Sequence, residues 1–272
     1  MIERDVAAAL AEDIGSGDAS ALLLPVSQAA RATVVCRQEA VLCGEPWFEG
    51  CFRKLDPQVR ITWKAREGQP LSRRAAVCAI EGRARALLSA ERSGLNFLQV
   101  LSAVATSTRR LVEAAAGTRA KIVDTRKTLP GLRMAQKYAV RTGGGANHRM
   151  GLYDAMLIKE NHIAAAGGVG PALAAARKHA APGVWMQTEV ENLSQLRQAL
   201  DAGATMILLD NMSVEMMAEA VRIAGDRAEL EGSGGVTLKN VRLIAGTGVH
   251  RISSGALTKD VKAVDFSMRF ET

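Results

Sequence analysis

Residues 206–224 read Met-Ile-Leu-Leu-Asp-Asn-Met-Ser-Val-Glu-Met-Met-Ala-Glu-Ala-Val-Arg-Ile-Ala, and this stretch decides the class of fold. Its first five residues form an apolar run that ends on Asp210, and Val214 to Ala224 has a helical composition. The same order recurs along the second half of the chain, with apolar runs that end at Asp124, Lys159, Glu189, Asp210, Glu231 and Ser253. Neighbouring run ends lie 21 to 35 residues apart. This spacing predicts a parallel sheet whose strands are joined by helices.

The predicted strand ends share one feature, because each carries a charged residue or a glycine-rich turn. A doubly wound sheet gathers its functional groups at one switch point, whereas an α/β barrel takes them from the carboxyl ends of many strands. The pattern therefore favours a barrel. Six strands are visible in the sequence, and residues 98–106 are the remaining candidate for one more.

The first third of the chain has a different pattern. Short β-like runs lie between glycine and proline residues at 31–37, 59–64 and 76–80. A helix is predicted around residues 6–11, and residues 84–116 have the composition of one long helix or two. These features predict a small α/β domain that precedes the barrel.

The overall composition excludes several classes of protein. The chain has 272 residues, of which 48% are hydrophobic and 23% charged, and this balance excludes a disordered, collagen-like or coiled-coil chain. No apolar run reaches the roughly 18 residues of a membrane helix, and the first fifteen residues are acidic, unlike a signal peptide. The sequence therefore predicts a cytoplasmic protein without a membrane partner. The four cysteines form no CxxC pair, so buried thiols are expected rather than a zinc or redox site.

The positive charge is concentrated in one segment. The formal net charge is +7, and residues 119–162 hold nine basic residues against three acidic ones. Aromatic residues make up only 4% of the chain, too few for the stacking platforms of a typical polynucleotide binder. The pattern favours a pocket for a small anion and no nucleic-acid partner. A basic nucleic-acid-binding module is the alternative, and it predicts salt-sensitive binding to DNA or RNA.

Three groups of residues at the predicted strand ends are candidates for chemistry. The first group consists of cations and a neighbouring histidine, which can bind a substrate with more than one negative charge: Arg126, Lys127, His148, Arg149 and Lys159. The second group is Glu189 and Asp210, which can hold Mg²⁺ or bind sugar hydroxyls, with an acid/base pair as the alternative. The third group consists of turns whose backbone amides can bind a phosphate: Ser233, Gly234 and Gly235, and Ser254, Gly255 and Ala256.

Several motifs are specific enough to indicate a family. Asp124-Thr-Arg-Lys-Thr128, Gly143-Gly-Gly-Ala-Asn-His-Arg149 and Leu157-Ile-Lys-Glu-Asn-His162 closely resemble the motifs of quinolinate phosphoribosyltransferases. Shorter matches at Glu12-Asp-Ile-Gly-Ser-Gly-Asp18 and Leu230-Glu-Gly-Ser-Gly-Gly235 extend the resemblance over nearly the whole chain. A paralogue that uses another pyridine acid is the rival within the enzyme class, and the intact Asn-His-Arg motif argues against it.

The resemblance implies a type II phosphoribosyltransferase fold. Residues 1–102 are expected to form an N-terminal open α/β sandwich, against which residues 258–272 pack back, and residues 103–257 an incomplete, seven-stranded α/β barrel. The implied reaction joins quinolinate and phosphoribosyl pyrophosphate, with Mg²⁺, to give nicotinate mononucleotide, pyrophosphate and CO₂ in de novo NAD biosynthesis. The implied assembly is a homodimer with a shared active site, and a hexamer is the larger alternative.

The resemblance also implies roles for individual residues. The substrate-binding residues are Arg92 from the partner subunit, Arg126, Lys127, Thr128, His148, Arg149 and Lys159. The catalytic residues are Lys127, Lys159, Glu189 and Asp210, and the two carboxylates address the metal directly or through water. The turns at 233–235 and 254–256 hold the 5′-phosphate. One departure concerns Gln187, because the family often has Glu-Val-Glu where this chain has Gln187-Thr-Glu189. Gln187 removes one charge from the site, or it faces the barrel wall.

Overall fold

The computed structural model describes residues 1–271, which divide into two compact units. The first unit contains Met1–Arg109, Leu129–Gly144 and the chain from Asp260 onward. The second unit contains Arg110–Thr128 and Gly145–Lys259. The resemblance implies boundaries after residues 102 and 257, whereas this division also groups residues 103–109 and 129–144 with the first unit and extends the second unit to Lys259.

The first unit is built on an antiparallel sheet. Its strands are β1 (Ala29–Cys36), β2 (Ala40–Val41), β3 (Arg60–Trp63), β4 (Pro70–Leu71), β5 (Ala76–Arg83) and, at the end of the chain, β12 (Phe266–Phe270). The main sheet has the order β12-β1-β5-β3, and β2 pairs with β4. Its helices are α1 (Ile2–Ile14), α2 (Glu45–Leu55), α3 (Ala84–Ala114) and α4 (Arg133–Thr142). The three β-like runs and the helices predicted for this part of the chain are confirmed.

Alternation along β1 explains why this sheet packs on helices. Ala32, Val34 and Cys36 are buried on one face, and they join Trp47 and Phe48 of α2 in one hydrophobic core. All four cysteines are unpaired and buried, as expected.

The prediction of a further strand at residues 98–106 was wrong, because this stretch lies inside α3. Leu98, Leu101 and Ala105 are buried at the spacing of one helix face. A short apolar run does not by itself distinguish a buried strand from a buried helix face.

The second unit is built on a parallel sheet. Its strands are β6 (Lys121–Val123), β7 (Ala155–Ile158), β8 (Trp185–Val190), β9 (Met206–Asp210), β10 (Glu229–Ser233) and β11 (Arg251–Ser253). Its helices are α5 (Glu160–Ala166), α6 (Val169–His179), α7 (Leu193–Asp201), α8 (Val214–Ala224), α9 (Val241–Gly246) and α10 (Ala256–Lys259). The sheet order is β6-β11-β10-β9-β8-β7, which is the order of an α/β barrel that is open between β6 and β7.

A single residue occupies the open side of this sheet. Ala146 forms an isolated parallel bridge with Val123, and the Ala146 amide donates a hydrogen bond of 2.8 Å to the Ile122 carbonyl. Ala146 lies between β6 and β7 in the sequence, so it takes the place of the expected seventh strand. Within residues 1–271 the sheet therefore has six strands and this bridge.

Register and alternation determine which side chains share a face of the parallel sheet. Glu189 aligns with Leu208 across β8 and β9, and Leu208 aligns with Glu231 on β10. Ile207 and Leu209 alternate with these residues and are buried in the core that also contains residues of the surrounding helices. The side chains of Gln187, Glu189, Asp210, Glu231 and Ser233 therefore share the opposite face, whereas Thr188 aligns with Ile207 on the core face. Among the described residues, no helix combines the length and apolar character needed to cross a bilayer.

Candidate active site

The carboxyl ends of the six parallel strands bring together most of the predicted site residues. The Thr125–Thr128 loop follows β6, Lys159 follows β7, Asp210 ends β9 and Ser233 ends β10. Glu189 lies near the end of β8, and Ser254 follows β11. Arg92 is different, because it is an exposed residue of α3 in the first unit.

Asp124 fixes the loop that carries His148 and Arg149. Its side chain is fully buried, and its Oδ1 accepts a hydrogen bond of 2.9 Å from the His148 amide. Its Oδ2 accepts one of 2.5 Å from Asn147 Nδ2. Burial of a carboxylate is costly unless donors compensate it. The two donors therefore explain why an acid can stand directly after an apolar strand, and they tie the Asn-His-Arg motif to the end of β6.

A chain of hydrogen bonds continues from His148 into the interior of the second unit. The Nδ1 atom of His148 accepts a hydrogen bond of 2.8 Å from the Arg149 amide, and its Nε2 atom lies 2.8 Å from Gln187 Oε1. Gln187 Nε2 donates in turn to Glu231 Oε2 at 3.1 Å. His148, Gln187 and Glu231 are all buried. Trp185 packs edge-on against the histidine ring, with 5.0 Å between the ring centroids.

The guanidinium of Arg149 is buried beside another cation. Its Nη1 donates a hydrogen bond of 3.1 Å to the Ala155 carbonyl. Burial lowers the pKa of Arg149, the nearby Arg126 lowers it further, and Asp154 and Glu189 oppose the shift. A guanidinium whose pKa is lowered by a neighbouring cation favours an anion beside it, because such a ligand relieves the repulsion.

Glu189 and Asp210 form the acidic part of the site. Lys159 Nζ lies 3.6 Å from Glu189 Oε2. Burial raises the pKa of Glu189, Lys159 lowers it, and the charges of Asp210 and Glu160 raise it. Glu189 aligns with Leu208, and Asp210 lies two residues further along β9, so the two carboxylates lie on one face at the ends of neighbouring strands.

The turn after β10 is shaped by glycine. Gly234 has φ +98° and Gly235 has φ +57°, in the left-handed region that favours glycine. A Cβ at Gly234 would lie 2.1 Å from Asn211 Oδ1. The Asn211 amide donates to the Ser233 carbonyl at 3.0 Å, and its side chain donates to Asp210 Oδ2 at 2.9 Å. Asn211 thus links the acidic group to this turn.

The second turn lies against the loop that follows β6. The Ser254 amide donates to the Val123 carbonyl at 3.1 Å, and a Cβ at Gly255 would lie 2.9 Å from Lys127 Cδ. Thr258 Oγ1 donates to the Lys127 carbonyl at 2.7 Å, and the Lys127 amide donates to Thr125 Oγ1 at 3.0 Å. These contacts place Lys127 beside the turn of Ser254, Gly255 and Ala256. The Thr128 amide donates to the Arg126 carbonyl at 3.0 Å in the same loop.

The residues available to a metal are few. In the part of the chain that the structure describes, no three histidine, cysteine or acidic side chains come together as a complete metal site. Glu189 and Asp210 supply two carboxylates. This donor set fits Mg²⁺, which commonly takes one or two carboxylates and completes its shell with water and substrate phosphate.

Sequence reasoning missed part of the site. It treated Glu231 only as a strand end and left Gln187 open, yet both belong to the hydrogen-bonded chain of His148. Asn211 and Thr125 were also missed. The available signal for Glu231 was its position two residues before Ser233, which places both on one face of β10.

Enzymes that transfer a phosphoribosyl group hold a diphosphate, a sugar and a nitrogen nucleophile together, and they need charges and backbone amides more than a covalent nucleophile. The parallel sheet of the second unit carries such groups at the ends of its strands. Its fold and site define a phosphoribosyltransferase of the barrel type.

Comparisons with known proteins identify the family. The N-terminal domain model of quinolinate phosphoribosyl transferase matches residues 18–102, and the C-terminal domain model matches residues 104–269. The chain belongs to the quinolinate phosphoribosyltransferase family.

Individual relatives agree with this assignment. The chain is 42% identical over 257 residues to a probable nicotinate-nucleotide pyrophosphorylase (carboxylating) of Bacillus subtilis, with 94% of this chain and 89% of the relative covered. It is 38% identical over 284 residues to a mitochondrial quinolinate phosphoribosyltransferase (decarboxylating) of Nicotiana tabacum, covering 97% and 80%. The solved nicotinate-nucleotide pyrophosphorylase of Francisella tularensis has a TM-score of 0.95 and 44% identity, covering 99% of this chain and 96% of that one. The predicted type II phosphoribosyltransferase fold is confirmed.

Proposed function

We infer that this enzyme transfers the phosphoribosyl group of phosphoribosyl pyrophosphate to quinolinate and releases pyrophosphate and CO₂. The product is nicotinate mononucleotide, so the reaction belongs to de novo NAD biosynthesis. The observation that carries this inference is the Arg126 and Arg149 pair beside Lys159 and Glu189, because a planar diacid supplies the negative charge that these cations need.

Binding of the diacid follows from the cations. Arg149 is held at its backbone by His148 and at its guanidinium by the Ala155 carbonyl, so its remaining donors are oriented before the substrate arrives. Arg126 and Lys159 supply further positive charge. Together they bind the two carboxylates of quinolinate and leave its ring nitrogen to face the sugar.

The sugar phosphate binds at the other strand ends. The turns at 233–235 and 254–256 offer backbone amides to the 5′-phosphate, and Lys127, which lies against Gly255, neutralises the phosphoribosyl donor. Glu189 and Asp210 bind the ribose hydroxyls and the metal ion of the phosphoribosyl donor. Mg²⁺ held by these carboxylates supplies positive charge to the diphosphate when it is bound.

The chemistry requires charge stabilisation at two points. When pyrophosphate leaves with its bonding electron pair, positive charge develops at C1 of the ribose, and the carboxylates stabilise it. The lone pair of the pyridine nitrogen forms the new bond to C1 and produces a pyridinium. The bond to the adjacent carboxylate then breaks, CO₂ leaves, and the electron pair remains on the ring carbon, where the pyridinium stabilises it until a proton is added.

The assembly is proposed to be at least a homodimer in which Arg92 reaches the site of the partner subunit, with a hexamer as the larger alternative. Leu22, Leu23 and Val26 lie exposed in one short segment of the first unit, which supports an interface there. Four unpaired thiols support a reducing, cytoplasmic location.

Substrate turnover tests the proposed function. We expect release of CO₂ and pyrophosphate with quinolinate and no turnover with nicotinate; activity with nicotinate alone would contradict the assignment. Arg149→Ala and Lys159→Ala are expected to raise the KM for quinolinate by about 100-fold with the fold retained. Loss of the folded state, seen by circular dichroism, would instead make these side chains structural.

The shared site needs a separate experiment. At quinolinate concentrations near the wild-type KM, Arg92→Ala and Lys159→Ala chains should each show little activity alone, and refolded mixtures should regain activity because one site of each mixed dimer is intact. Mixtures that stay inactive while exchanging subunits would contradict the role of Arg92.

A further inference from the structure

We propose that Gln187 is a positioning residue that sets the tautomer of His148 and, through His148, the orientation of Arg149. The inference rests on the proposed function, since it names how the diacid site is held in place. It also assigns a role to the position at which this chain departs from the Glu-Val-Glu pattern of its family.

The directions of the hydrogen bonds carry the argument. A carboxylate only accepts hydrogen bonds, so Glu231 turns the amide N–H of Gln187 toward itself. The amide oxygen of Gln187 then faces His148 Nε2 at 2.8 Å. An oxygen at this distance requires a proton on Nε2. The neutral ring therefore has an unprotonated Nδ1, and this is the atom that accepts the Arg149 amide at 2.8 Å.

Burial makes this arrangement sensitive to a change at residue 187. Gln187 and Glu231 are each only 1% exposed, so water does not readily replace a lost partner. Glu231 Oε1 already lacks a hydrogen-bond partner. Removal of the Gln187 amide would take away the 2.8 Å partner of His148 Nε2 and the donor to Glu231 Oε2, and Nε2 would then face Glu231 Oε2 at 3.7 Å. The ring could then turn toward this carboxylate or change tautomer.

The same geometry limits what His148 does. Both ring nitrogens are engaged, one with Arg149 and one with Gln187, and Trp185 covers an edge of the ring. On this proposal His148 acts on the diacid through the backbone of Arg149 and not through a ring nitrogen of its own.

The experiment compares three variants of the full-length protein. Gln187→Leu removes both the donor and the acceptor. The double variant Gln187→Glu with Glu231→Gln exchanges the two side chains, so it keeps a donor and an acceptor between the two positions and an acceptor for His148 Nε2, and it is the conservative variant. Thr188→Val is the matched control, because Thr188 is the adjacent residue, is equally buried and has an Oγ1 without a hydrogen-bond partner.

The first readout does not depend on activity. Long-range ¹⁵N–¹H spectra of the substrate-free protein report the tautomer of each histidine ring, and the His148→Gln variant identifies the signal of His148. We expect the Nε2–H tautomer in the wild type, the Gln187→Glu/Glu231→Gln double variant and Thr188→Val, and a mixture or the other tautomer in Gln187→Leu. An unchanged His148 signal in Gln187→Leu would overturn the proposal.

The second readout is kinetic. Gln187→Leu is expected to raise the KM for quinolinate about tenfold and to leave the KM for phosphoribosyl pyrophosphate within about twofold, while the Gln187→Glu/Glu231→Gln double variant restores the value for quinolinate. Equal increases in both KM values would indicate general damage and overturn the positioning role.

Two further outcomes keep the interpretation clear. If Gln187→Leu does not fold, Gln187→Met takes its place, because its flexible side chain fills the same volume without the amide. If the wild type shows the expected tautomer and the variant loses it, but quinolinate is not turned over, then the proposed function fails while the hydrogen-bond role of Gln187 stands.

Discussion

Each unit holds a group of polar side chains, half-buried around Glu45 and Glu67 in the first unit and fully buried around Asp124 in the second, and the two groups are built differently. In the first unit, the two carboxylate oxygens of Glu67 accept hydrogen bonds from the amides of Gly44 at 2.8 Å and Glu45 at 3.1 Å, whereas Glu45 Oε1 has no partner. In the second unit, Asp124 receives two donors and holds the loop of His148. One group therefore leaves an acid poorly solvated, and the other uses its acid to orient residues of the site.

The difference teaches how buried carboxylates are used. Burial, together with the charges of Glu67 and Glu49, raises the pKa of Glu45 to about 7. Burial also raises the pKa of Cys43 and Tyr138 in the same group. An acid with one carboxylate oxygen left without a partner thus takes up a proton more readily, and its effect appears in stability. An acid with donors fixes backbone and side chains, and its effect appears in ligand binding as well.

The largest effect is expected when the central acid of each group, Asp124 or Glu67, is replaced by alanine. Asp124→Ala leaves the His148 amide and the Asn147 side chain without their acceptor, so we expect the free energy of unfolding to fall by about 3–5 kcal/mol and quinolinate turnover to be lost. Glu67→Ala also removes the acceptor of two amides, but it relieves repulsion with Glu45. A loss of about 1–2 kcal/mol is expected there, with an unchanged KM for quinolinate. Urea unfolding and steady-state kinetics measure both quantities.

Equal losses of stability in the two variants would break the comparison. A change in the KM for quinolinate in Glu67→Ala would break it as well, because the first group would then also serve the ligand. Asp124→Asn sharpens the test, since it keeps one acceptor oxygen and should recover part of the stability.

Two glycine substitutions, one in each unit, test the contrast with effects of intermediate expected size. In the first unit, a Cβ at Gly82 would lie 2.9 Å from Asp56 Oδ2, and in the second unit a Cβ at Gly234 would lie 2.1 Å from Asn211 Oδ1. Gly82→Ala is expected to lower the free energy of unfolding by about 1–3 kcal/mol without a kinetic effect. Gly234→Ala also strains a residue at φ +98° and displaces the phosphate turn, so we expect the KM for phosphoribosyl pyrophosphate to rise about tenfold or more.

Gly235→Ala is the control for the second member of this pair. Its backbone also lies in the left-handed region, but a Cβ there would meet nothing within 4 Å. A KM as high as that of Gly234→Ala would show that backbone strain, and not the collision with Asn211, determines the effect.

The fold and the site differed in how far the sequence could predict them. Strand ends such as Asp210 were predictable because buried parallel strands are apolar runs that stop at a polar residue. Residues 98–106 were misread because the buried face of a long helix contains a similar apolar run. The one-residue bridge at Ala146 was not visible, since a single pairing leaves no period in the sequence.

The site was predictable only in part. The motifs around Arg126 and Arg149 carry the family resemblance, and they indicated the chemistry. The partners of Gln187 lie 39 and 44 residues away in the chain, so its role depends on the register of β8 and β10 around His148. Composition and spacing do not determine such contacts.

The smallest expected effect concerns the pH dependence of stability in the first unit. The pKa of Glu45 is about 7 in the folded protein against an ordinary value of 4.5, so the folded state binds this proton more tightly than the unfolded state. The contribution of Glu45 to stability is therefore full below pH 4.5 and is lost as the pH rises toward 7. Glu45→Gln removes this dependence. At pH 8 we expect the variant to be more stable than the wild type by on the order of 1 kcal/mol, a value reduced for partial exposure to solvent.

Urea unfolding of both proteins between pH 4.5 and 8 measures the difference directly. The advantage of Glu45→Gln should grow across this window and then stay constant, since the wild-type carboxyl is ionised above its pKa of about 7. The exposed Glu39→Gln variant is the control and should show no such trend. A difference for Glu45→Gln that stays flat with pH would mean that Glu45 is ionised in the folded state throughout. Its carboxylate would then be as well compensated as Asp124, and the contrast between the two buried groups would not hold.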